Sequence, residues 1–393
     1  MTVSHLDNLD INIFLEAAPA PVRGFSNVLY LVDEADGNPL DGSSRYLTFN
    51  KPSDVTDAFG LSYIKSTTRD GCLAMFAQDP APPAVLVGIV KTAATELETY
   101  HGAYDPDMVG SGGLEECIRA GAQFYGVVTD LRETADDAAM LLLSGYIESG
   151  VSRPCLLGLM VGSDVEWGAS TALPSTGADW SAASPAGVEG AERTILIYHD
   201  DEGEFAAEAY LANRLAADPD QMSAPWDAAV ASVGSYTTAL TSTEKSNLYN
   251  ETDGGQRVNI GLAYGSAPFF VDPGKTVSSG LGRPVYEMVT RDWFEARLQE
   301  RIATMKVNES ARFRKITIDA RGQAKVLSVI EALLNQGLDG NSPHFIAKKA
   351  TAEAITQADI DGQRLRFTVQ AQLASSARRF EFNVYFNRSP LVL

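Results

Sequence analysis

Between residues 83 and 265, short apolar segments alternate with amphipathic ones, and this pattern restricts the possible fold more than any other feature. The predicted strands are apolar almost throughout and cover Ala84–Val90, Gln123–Thr129, Pro154–Val161, Thr194–Tyr198 and Val258–Leu262. The predicted helices cover Gly113–Ala120, Thr134–Glu148, Glu204–Ala216 and Ser242–Asn250. Apolar strands separated by amphipathic helices are typical of a parallel sheet with helices on both faces. The sequence therefore predicts an α/β layer in this part of the chain.

The last third of the chain has a different pattern, in which long helices are followed by alternating strands. Helices are predicted over Pro284–Val307 and Gln323–Gln336, and strands over Arg314–Asp319, Arg364–Leu373 and Phe380–Phe386. The second helix is expected to stop at Gly337, because glycine commonly follows the last residue of a helix. The fold class predicted for the whole chain is therefore α/β and α+β in a multi-domain protein.

The composition excludes several classes of function. The 393 residues include 31 Lys and Arg against 51 Asp and Glu, a net charge of −20. An acidic chain is a poor candidate for binding nucleic acid or anionic membranes, since both are bound through Lys and Arg. The apolar runs are shorter than the roughly 18–20 residues that cross a bilayer. The N-terminus lacks the order of a signal peptide, and Cys72, Cys117 and Cys155 indicate reduced thiols made in a cytoplasm.

The charge is unevenly distributed along the sequence. Residues 283–393 contain 17 Lys and Arg against 12 Asp and Glu, a net charge of +5, and the preceding residues therefore carry −25. Such an asymmetry is often only a solvated acidic face beside an ordinary domain. Alternatively, the basic C-terminal unit docks against an acidic surface, either the N-terminal unit of another copy or a different acidic partner.

No segment has the pattern of a catalytic, cofactor or metal site. The four histidines are not at ligand spacing from one another or from a cysteine. Asp272–Thr276 looks like the end of a phosphate-binding loop, but Phe269 stands where that loop needs its first glycine, so a turn is favoured. His199–Glu204 is as acidic as a calcium loop but lacks its alternating ligand spacing. We therefore predict no catalytic residues, no cofactor and no metal.

Both ends of the chain carry strand-like segments that need a partner. Ile11, Ile13 and Leu15 alternate on one face of an N-terminal strand, and Pro19 and Pro21 follow it as a tether. The last strand places four large apolar side chains on one face, namely Phe380, Phe382, Val384 and Phe386. Burying them is worth about 6–12 kcal/mol, so this face must be covered. Either the strand closes a sheet in its own subunit, or the end strands add to sheets of neighbouring copies.

Several segments occur in a characteristic order along the chain. They are Val55–Gly60, Ala74–Ala77, Gln78–Pro83, Gly282–Arg301 and Lys315–Gly322, followed by Arg378-Arg379 before the last strand. Each segment alone is a loose motif, but their order and spacing cover most of the chain. In this respect the sequence resembles the contractile bacteriophage tail sheath proteins, which are related to the sheaths of R-type bacteriocins and other contractile injection systems.

The resemblance implies an inner C-terminal α+β domain and an outer, inserted α/β domain. The corresponding borders are an N-terminal arm and linker at 1–21, the outer domain at 22–270, and the inner domain at 271–393 with an arm strand from about 378. The resemblance further implies hexameric rings that stack helically around the tail tube, contract, and drive the tube through the host envelope. The basic C-terminal region would then face the inside of the sleeve.

The partners implied by the resemblance are other copies of this chain, the tail tube protein, and the baseplate and tail terminator proteins. It implies no nucleic acid partner, no membrane insertion, no cofactor and no enzymatic activity. The protein would belong to the virion tail and would be made and assembled in the host bacterial cytoplasm. A bacteriocin or injection-system sheath is an equally compatible identity. From another class, the alternative is a soluble α/β enzyme with a ligand in the crevice of the middle domain's sheet.

The resemblance also assigns roles to residues. The inter-subunit arm strands would be Ile11, Ile13 and Leu15 at one end, and Phe380, Phe382, Val384 and Phe386 at the other. The arm hinges would be Pro19 and Pro21, and Ser375 and Ser376. A tube-facing role is assigned only by position to the helix that carries Gln323, Lys325 and Gln336, and the alternative for this helix is a plain core position.

Overall fold

The computed structural model describes residues 24–33, 46–59, 66–90, 113–131, 137–149, 154–161, 191–201, 203–236, 240–242, 245, 248, 258–264, 267–277, 284–340 and 342–374. Its strands are β1 (Val28–Asp33), β2 (Leu47–Phe49), β3 (Val85–Val90), β4 (Gly126–Thr129), β5 (Leu156–Val161), β6 (Thr194–Tyr198), β7 (Ala228–Ala229), β8 (Asn259–Tyr264), β9 (Ala267–Asp272), β10 (Phe345–Ala352) and β11 (Phe367–Leu373). Its helices are α1 (Pro52–Phe59), α2 (Ser66–Phe76), α3 (Leu114–Arg119), α4 (Asp137–Ser149), α5 (Ala206–Ala216), α6 (Val285–Ala311), α7 (Ala320–Leu338) and α8 (Gln357–Asp361).

Strands β1 to β9 form one mixed sheet in the order β2-β3-β1-β4-β5-β6-β8-β9-β7. The strands from β3 to β8 in this order run parallel to their neighbours. Strand β2 pairs antiparallel at one edge, and β9 and β7 pair antiparallel at the other. The first parallel strand lies between the second and the third, which is the arrangement of doubly wound α/β sheets. The predicted α/β layer is therefore confirmed.

Both faces of this sheet are covered, and the alternation of side chains along β1 shows how. Val28, Tyr30 and Val32 belong to one buried cluster, which also contains residues of α2, α5, α6 and α7. Leu29 and Leu31 belong to a second cluster, with residues of α3 and α4. Strands β5 and β6 are buried at every position. A strand buried on both faces needs apolar residues without alternation, and this explains the pattern seen in the sequence.

The C-terminal unit, residues 284–374, packs helices α6 and α7 against each other and against the antiparallel pair of β10 and β11. Trp293 and Phe294 on α6 and Leu333 and Leu334 on α7 are buried in the same cluster that covers the large sheet. The hydrophobic core is therefore continuous from the parallel sheet into the C-terminal unit. The proposed division of the chain at residues 21 and 270 stays a prediction.

Two features predicted for the connection of α6 and α7 are wrong. Arg314–Asp319 is not a strand but an irregular link, and none of the described strands pairs with it. The Asp319 carboxylate accepts hydrogen bonds from the backbone N–H groups of Arg321 at 3.0 Å and Gly322 at 2.9 Å, and this cap starts α7 at Ala320, three residues before the predicted start.

Gly337 does not follow the helix as predicted but lies within it. A Cβ atom at this position would come within 2.5 Å of the Phe345 ring, and Phe345 is itself buried. The glycine therefore allows close approach of β10 to α7, and the helix continues to Leu338.

The predicted bounds of some elements agree with the structure, and other elements had not been predicted. Strand β6 has the predicted bounds, and α6 extends to Ala311, beyond the predicted end at Val307. Strands β9 and β10 had not been predicted. The predicted strands at 11–15 and 380–386 lie outside the described residues. No helix in the described ranges combines the length and apolar character needed to span a membrane.

Candidate assembly surface of the C-terminal unit

The two-stranded sheet of β10 and β11 has one face on α7 and one face in solvent. Ala350 lies opposite Val369, and Lys348 opposite Ala371. Val369 and Ala371 pack against the core, and Lys348 Nζ bonds the side chain of Asn335 on α7. Within the described part of the chain this sheet has only these two strands, so each strand keeps one edge without a neighbouring strand. An open strand edge is a template for pairing with another segment.

The link between the two strands is held by one carboxylate. Asp359 on α8 accepts hydrogen bonds from Arg366 Nε at 3.0 Å and Arg364 Nε at 2.8 Å. The hydroxyl of Thr356 also donates to it, at 2.6 Å, and forms a capping box that starts α8. The Arg366 guanidinium first, and then Thr356 and Arg364, hold the pKa of Asp359 below its usual range. The turn thereby fixes the register of β11 against β10.

The C-terminal unit is joined to the α/β sheet by the segment that follows α5. Asp220 accepts hydrogen bonds from Arg297 Nε at 2.8 Å and Nη2 at 2.6 Å, and from the indole N–H of Trp293 at 2.8 Å. Burial alone would raise the pKa of Asp220, but its bonds to Arg297 and Trp293 lower it below the usual value. Gln336 Nε2 on α7 donates to the Asp220 backbone carbonyl at 3.0 Å. The segment is therefore bonded to both long helices.

His344 completes this junction as a neutral side chain. Its ring stacks on Trp293 with centroids 4.3 Å apart and an angle of 7° between the planes. Nε2 lies 2.7 Å from the Pro219 carbonyl, which can only accept, so Nε2 carries the proton and Nδ1 accepts from the Thr290 hydroxyl at 2.8 Å. Burial lowers the pKa of His344, in agreement with a neutral ring.

A buried ion pair forms the second connection between the sheet and α6. Asp292 is fully buried, and Arg193, just before β6, binds it through both terminal nitrogens, with Nη2 2.9 Å from Oδ1. The Tyr125 hydroxyl, just before β4, donates to Asp292 Oδ2 at 2.7 Å. Burial alone would lower the pKa of Arg193, but the hydrogen bond and charge of Asp292 raise it above its ordinary value. Three elements distant in sequence are thus tied at one carboxylate.

Glu148, at the end of α4, makes the stability of the same region depend on pH. Its Oε1 accepts the Arg193 backbone N–H at 2.6 Å. Burial raises its pKa from 4.5 to about 7, although the contacts with Arg193 oppose the shift. Between these two pH values the folded chain holds a proton that the unfolded chain has lost. The contribution of Glu148 to stability therefore falls as the pH rises through this window.

Glu148→Gln is expected to remove this pH dependence, since glutamine stays neutral and keeps the acceptor for Arg193. Relative to the wild type, the free energy of unfolding should be higher by about 1–3 kcal/mol at pH 8 and nearly unchanged at pH 4.5. Urea unfolding at the two pH values measures the difference. Glu331→Gln, at an exposed position of α7, is the matched control. An equal effect of Glu148→Gln at both pH values would contradict the argument.

The two segments that were compared with phosphate-binding and calcium-binding loops have structural roles where the structure describes them. His199 is buried after β6; its Nδ1 accepts from the Asp201 N–H at 3.1 Å, and Nε2 lies 3.2 Å from the Gly234 carbonyl. Asp272–Thr276 is a turn, as predicted, with Gly274 at a φ of +65° against the backbone of Trp226. In the described ranges no three His, Cys, Asp or Glu side chains come together as a metal site.

The residues assigned from the sequence fall into two groups. The arm and hinge residues lie outside the described ranges; they are Ile11, Ile13, Leu15, Pro19, Pro21, Ser375, Ser376, Phe380, Phe382, Val384 and Phe386. The three candidate tube-facing residues lie on α7 and are bonded within the chain. Gln323 donates to the Glu353 carbonyl at 2.6 Å, Lys325 Nζ lies 2.6 Å from Glu309 Oε2, and Gln336 contacts Asp220. Their role in contacting a tube stays a prediction.

Sequence reasoning missed the bonds that form this junction. Asp220 and His344 belong to no motif, and Trp293 lies in the segment Gly282–Arg301, which indicated no partner for it. The only available indication was that a polar residue, Asp292, stands beside Trp293 on the apolar side of a strongly amphipathic helix, where a charged residue needs a buried partner.

Comparisons with known proteins agree with this architecture. No family model matches the sequence, and no curated protein matches it. Among solved structures, the helical sheath of the anti-feeding prophage in its contracted state is similar, with a TM-score of 0.57 and 13% identity over 96% of this chain and 98% of that one. The sheath complex of an extracellular contractile injection system, PVC, in its contracted state is similar with the same values. Over nearly its whole length, this chain therefore has the fold of contractile sheath subunits.

Proposed function

We propose that this chain is the structural subunit of a contractile sheath, in a phage tail or in a related injection particle, and that it is not an enzyme. The observation that carries the proposal is the fold shared with two assembled sheaths over 96% of the chain. A likeness that covered only the parallel sheet would be uninformative, because doubly wound sheets serve many functions. Here it extends through α6, α7 and the β10–β11 pair.

In this proposal, hexameric rings of the chain stack helically around a tail tube, and strand exchange links the copies. The arm strand at 380–386 of one copy would add to an open edge of the β10–β11 sheet of a neighbour, with the N-terminal strand at 11–15 as a further arm. A backbone hydrogen bond contributes only about 0.5–1.5 kcal/mol net, so a single arm binds weakly. Because the arm contact is repeated between all copies in a sleeve, the total binding free energy of the assembly is large.

The junction between the two units supports a subunit that moves as one body during contraction. Asp292 is fully buried with Arg193 and Tyr125, and the segment at Asp220 is bonded to both α6 and α7. These contacts fix the α/β sheet to the C-terminal unit. The conformational changes of contraction would therefore take place in the arms and their hinges. The tail tube, baseplate and terminator proteins would be the other partners, and the host bacterial cytoplasm the place of assembly.

Negative-stain electron microscopy of the purified protein, alone and with co-expressed tube protein, tests the proposal. We expect hollow cylinders of stacked rings in at least one of the two samples. Small particles of uniform size in both samples, over a range of salt and protein concentrations, would overturn the sheath assignment. The alternative to test next would then be a soluble α/β enzyme with a ligand at the crevice of the parallel sheet.

A further inference from the structure

A fully exposed phenylalanine stands at the turn after the longest helix. Phe313 follows the C-cap residue Arg312 of α6, its side chain is 100% exposed, and its φ is +55°. The N–H of Phe313 donates to the Ser310 carbonyl at 2.9 Å, and the N–H of Arg314 to the Glu309 carbonyl at 2.9 Å. This pair of bonds is the Schellman motif, in which the left-handed position is normally glycine.

Phenylalanine is a poor residue for this position, because its backbone conformation is unfavourable there and its ring is not buried. A side chain at a left-handed φ brings its Cβ close to the following backbone oxygen, which glycine avoids. A fully exposed ring also gains nothing from burial. A residue that breaks a local rule without an internal gain indicates a role outside the subunit.

The surroundings of Phe313 define the chemistry of its partner. Lys306, Val307, Arg312, Phe313, Arg314 and Lys315 are the exposed charged and large apolar residues between positions 306 and 315, and we call them the α6–α7 knob. Glu309, the acidic residue in the same stretch, is bonded to Lys325, and this bond first, with nearby arginines, lowers its pKa. The knob therefore presents an aromatic anchor and a second apolar side chain within a rim of positive charge. Such a surface fits an acidic partner with an apolar depression.

The chain itself carries charge of the complementary sign. Residues 1–282 have a net charge of −25, and Asp57, Asp79 and Asp201 are exposed carboxylates of the described part. Within the described part of the chain nothing covers the Phe313 ring, which is fully exposed. We infer that the α6–α7 knob of one copy docks on the acidic α/β unit of a second copy. The inference rests on the proposed self-assembly and adds a contact that is separate from the chain-end arms.

Photo-crosslinking identifies the partner directly. The full-length chain with p-benzoylphenylalanine at position 313 is mixed with 15N-labelled wild-type chain under assembling conditions. We expect crosslinked peptides that join position 313 of one copy to residues 24–282 of the labelled copy. The same photoreactive residue at Ile360, which is half exposed on α8, reports the background.

The outcomes of this experiment separate the two proposals. A crosslink only to a tube protein, only to residues 284–374, or to nothing in an assembled sample would overturn the knob contact and leave the sheath proposal standing. If the wild-type chain does not assemble with or without tube protein, the proposed function is overturned, and the knob contact with it.

Phe313→Gly gives a second test that cannot fail through misfolding. We expect the melting temperature of the unassembled subunit to rise by about 1–2 °C, while the concentration needed for assembly rises about tenfold. Gln363→Gly is the matched control, because Gln363, with a φ of +51°, occupies the same position of the same motif at the end of α8. It should raise the melting temperature without changing assembly. Unchanged assembly of Phe313→Gly would contradict the inference.

Discussion

Deleting residues 378–393 is expected to leave a folded subunit that no longer forms a sleeve. Residues 284–374 build the core of the C-terminal unit and the β10–β11 pair, and Ala374 N–H donates to the His344 carbonyl at 2.9 Å. We expect these contacts to remain after the deletion. The deletion removes the strand that, in the proposal, pairs with a neighbour, and every such link in the assembly is lost at once. Sedimentation and electron microscopy measure assembly, and circular dichroism measures the fold.

A full-length variant shows whether assembly is lost because the strand no longer pairs or only because the chain is shorter. Phe382→Ser with Phe386→Ser removes apolar side chains from the face assigned to the neighbour and should weaken assembly strongly. Glu381→Gln with Asn383→Ser changes the opposite face of the same strand and is the matched control. If the deleted chain unfolds instead, the strand closes a sheet within its own subunit, and the strand-exchange proposal is wrong.

Asp292→Ala is expected to lower the free energy of unfolding by about 3–5 kcal/mol, because it leaves the Arg193 charge buried without its partner. Arg193 is only 13% exposed, and the Tyr125 hydroxyl loses its acceptor in the same step. The loss should appear in denaturant unfolding of the unassembled subunit. A decrease of less than about 1 kcal/mol would mean that water solvates the Arg193 guanidinium and that the pair does not hold the units together.

A triple variant tests whether the effect comes from the unpaired charge. Arg193→Met, Asp292→Leu and Tyr125→Phe together replace the network with apolar side chains of similar size. Buried ion pairs replaced in this way often lose little stability, so most of the deficit of Asp292→Ala should be recovered. A triple variant as unstable as Asp292→Ala would show that the hydrogen-bond geometry, rather than the unpaired charge, carries the stability.

Sequence patterns predicted well those elements whose burial follows from the order of apolar and polar residues within the element itself. Strand β6 was bounded correctly because it is apolar on both faces, and a parallel sheet covered by helices requires that pattern. Helix α6 was recognised because its apolar residues recur with the helical period. Strand β10 was missed because Phe345–Ala352 carries lysines and alanines without a clear alternation, and it becomes a strand through pairing with β11.

The sequence by itself determined the alternation of buried strands and helices, the absence of a recognisable catalytic motif, and the separation of a basic C-terminal unit from an acidic remainder. Only the tertiary structure brought Arg193 to Asp292 across 99 residues and showed that Phe313 occupies a left-handed position in full exposure to solvent. The physical reason is that local patterns report how much of each side chain is buried. Which charges meet, and which apolar side chains stay exposed, depends on how the elements pack in three dimensions.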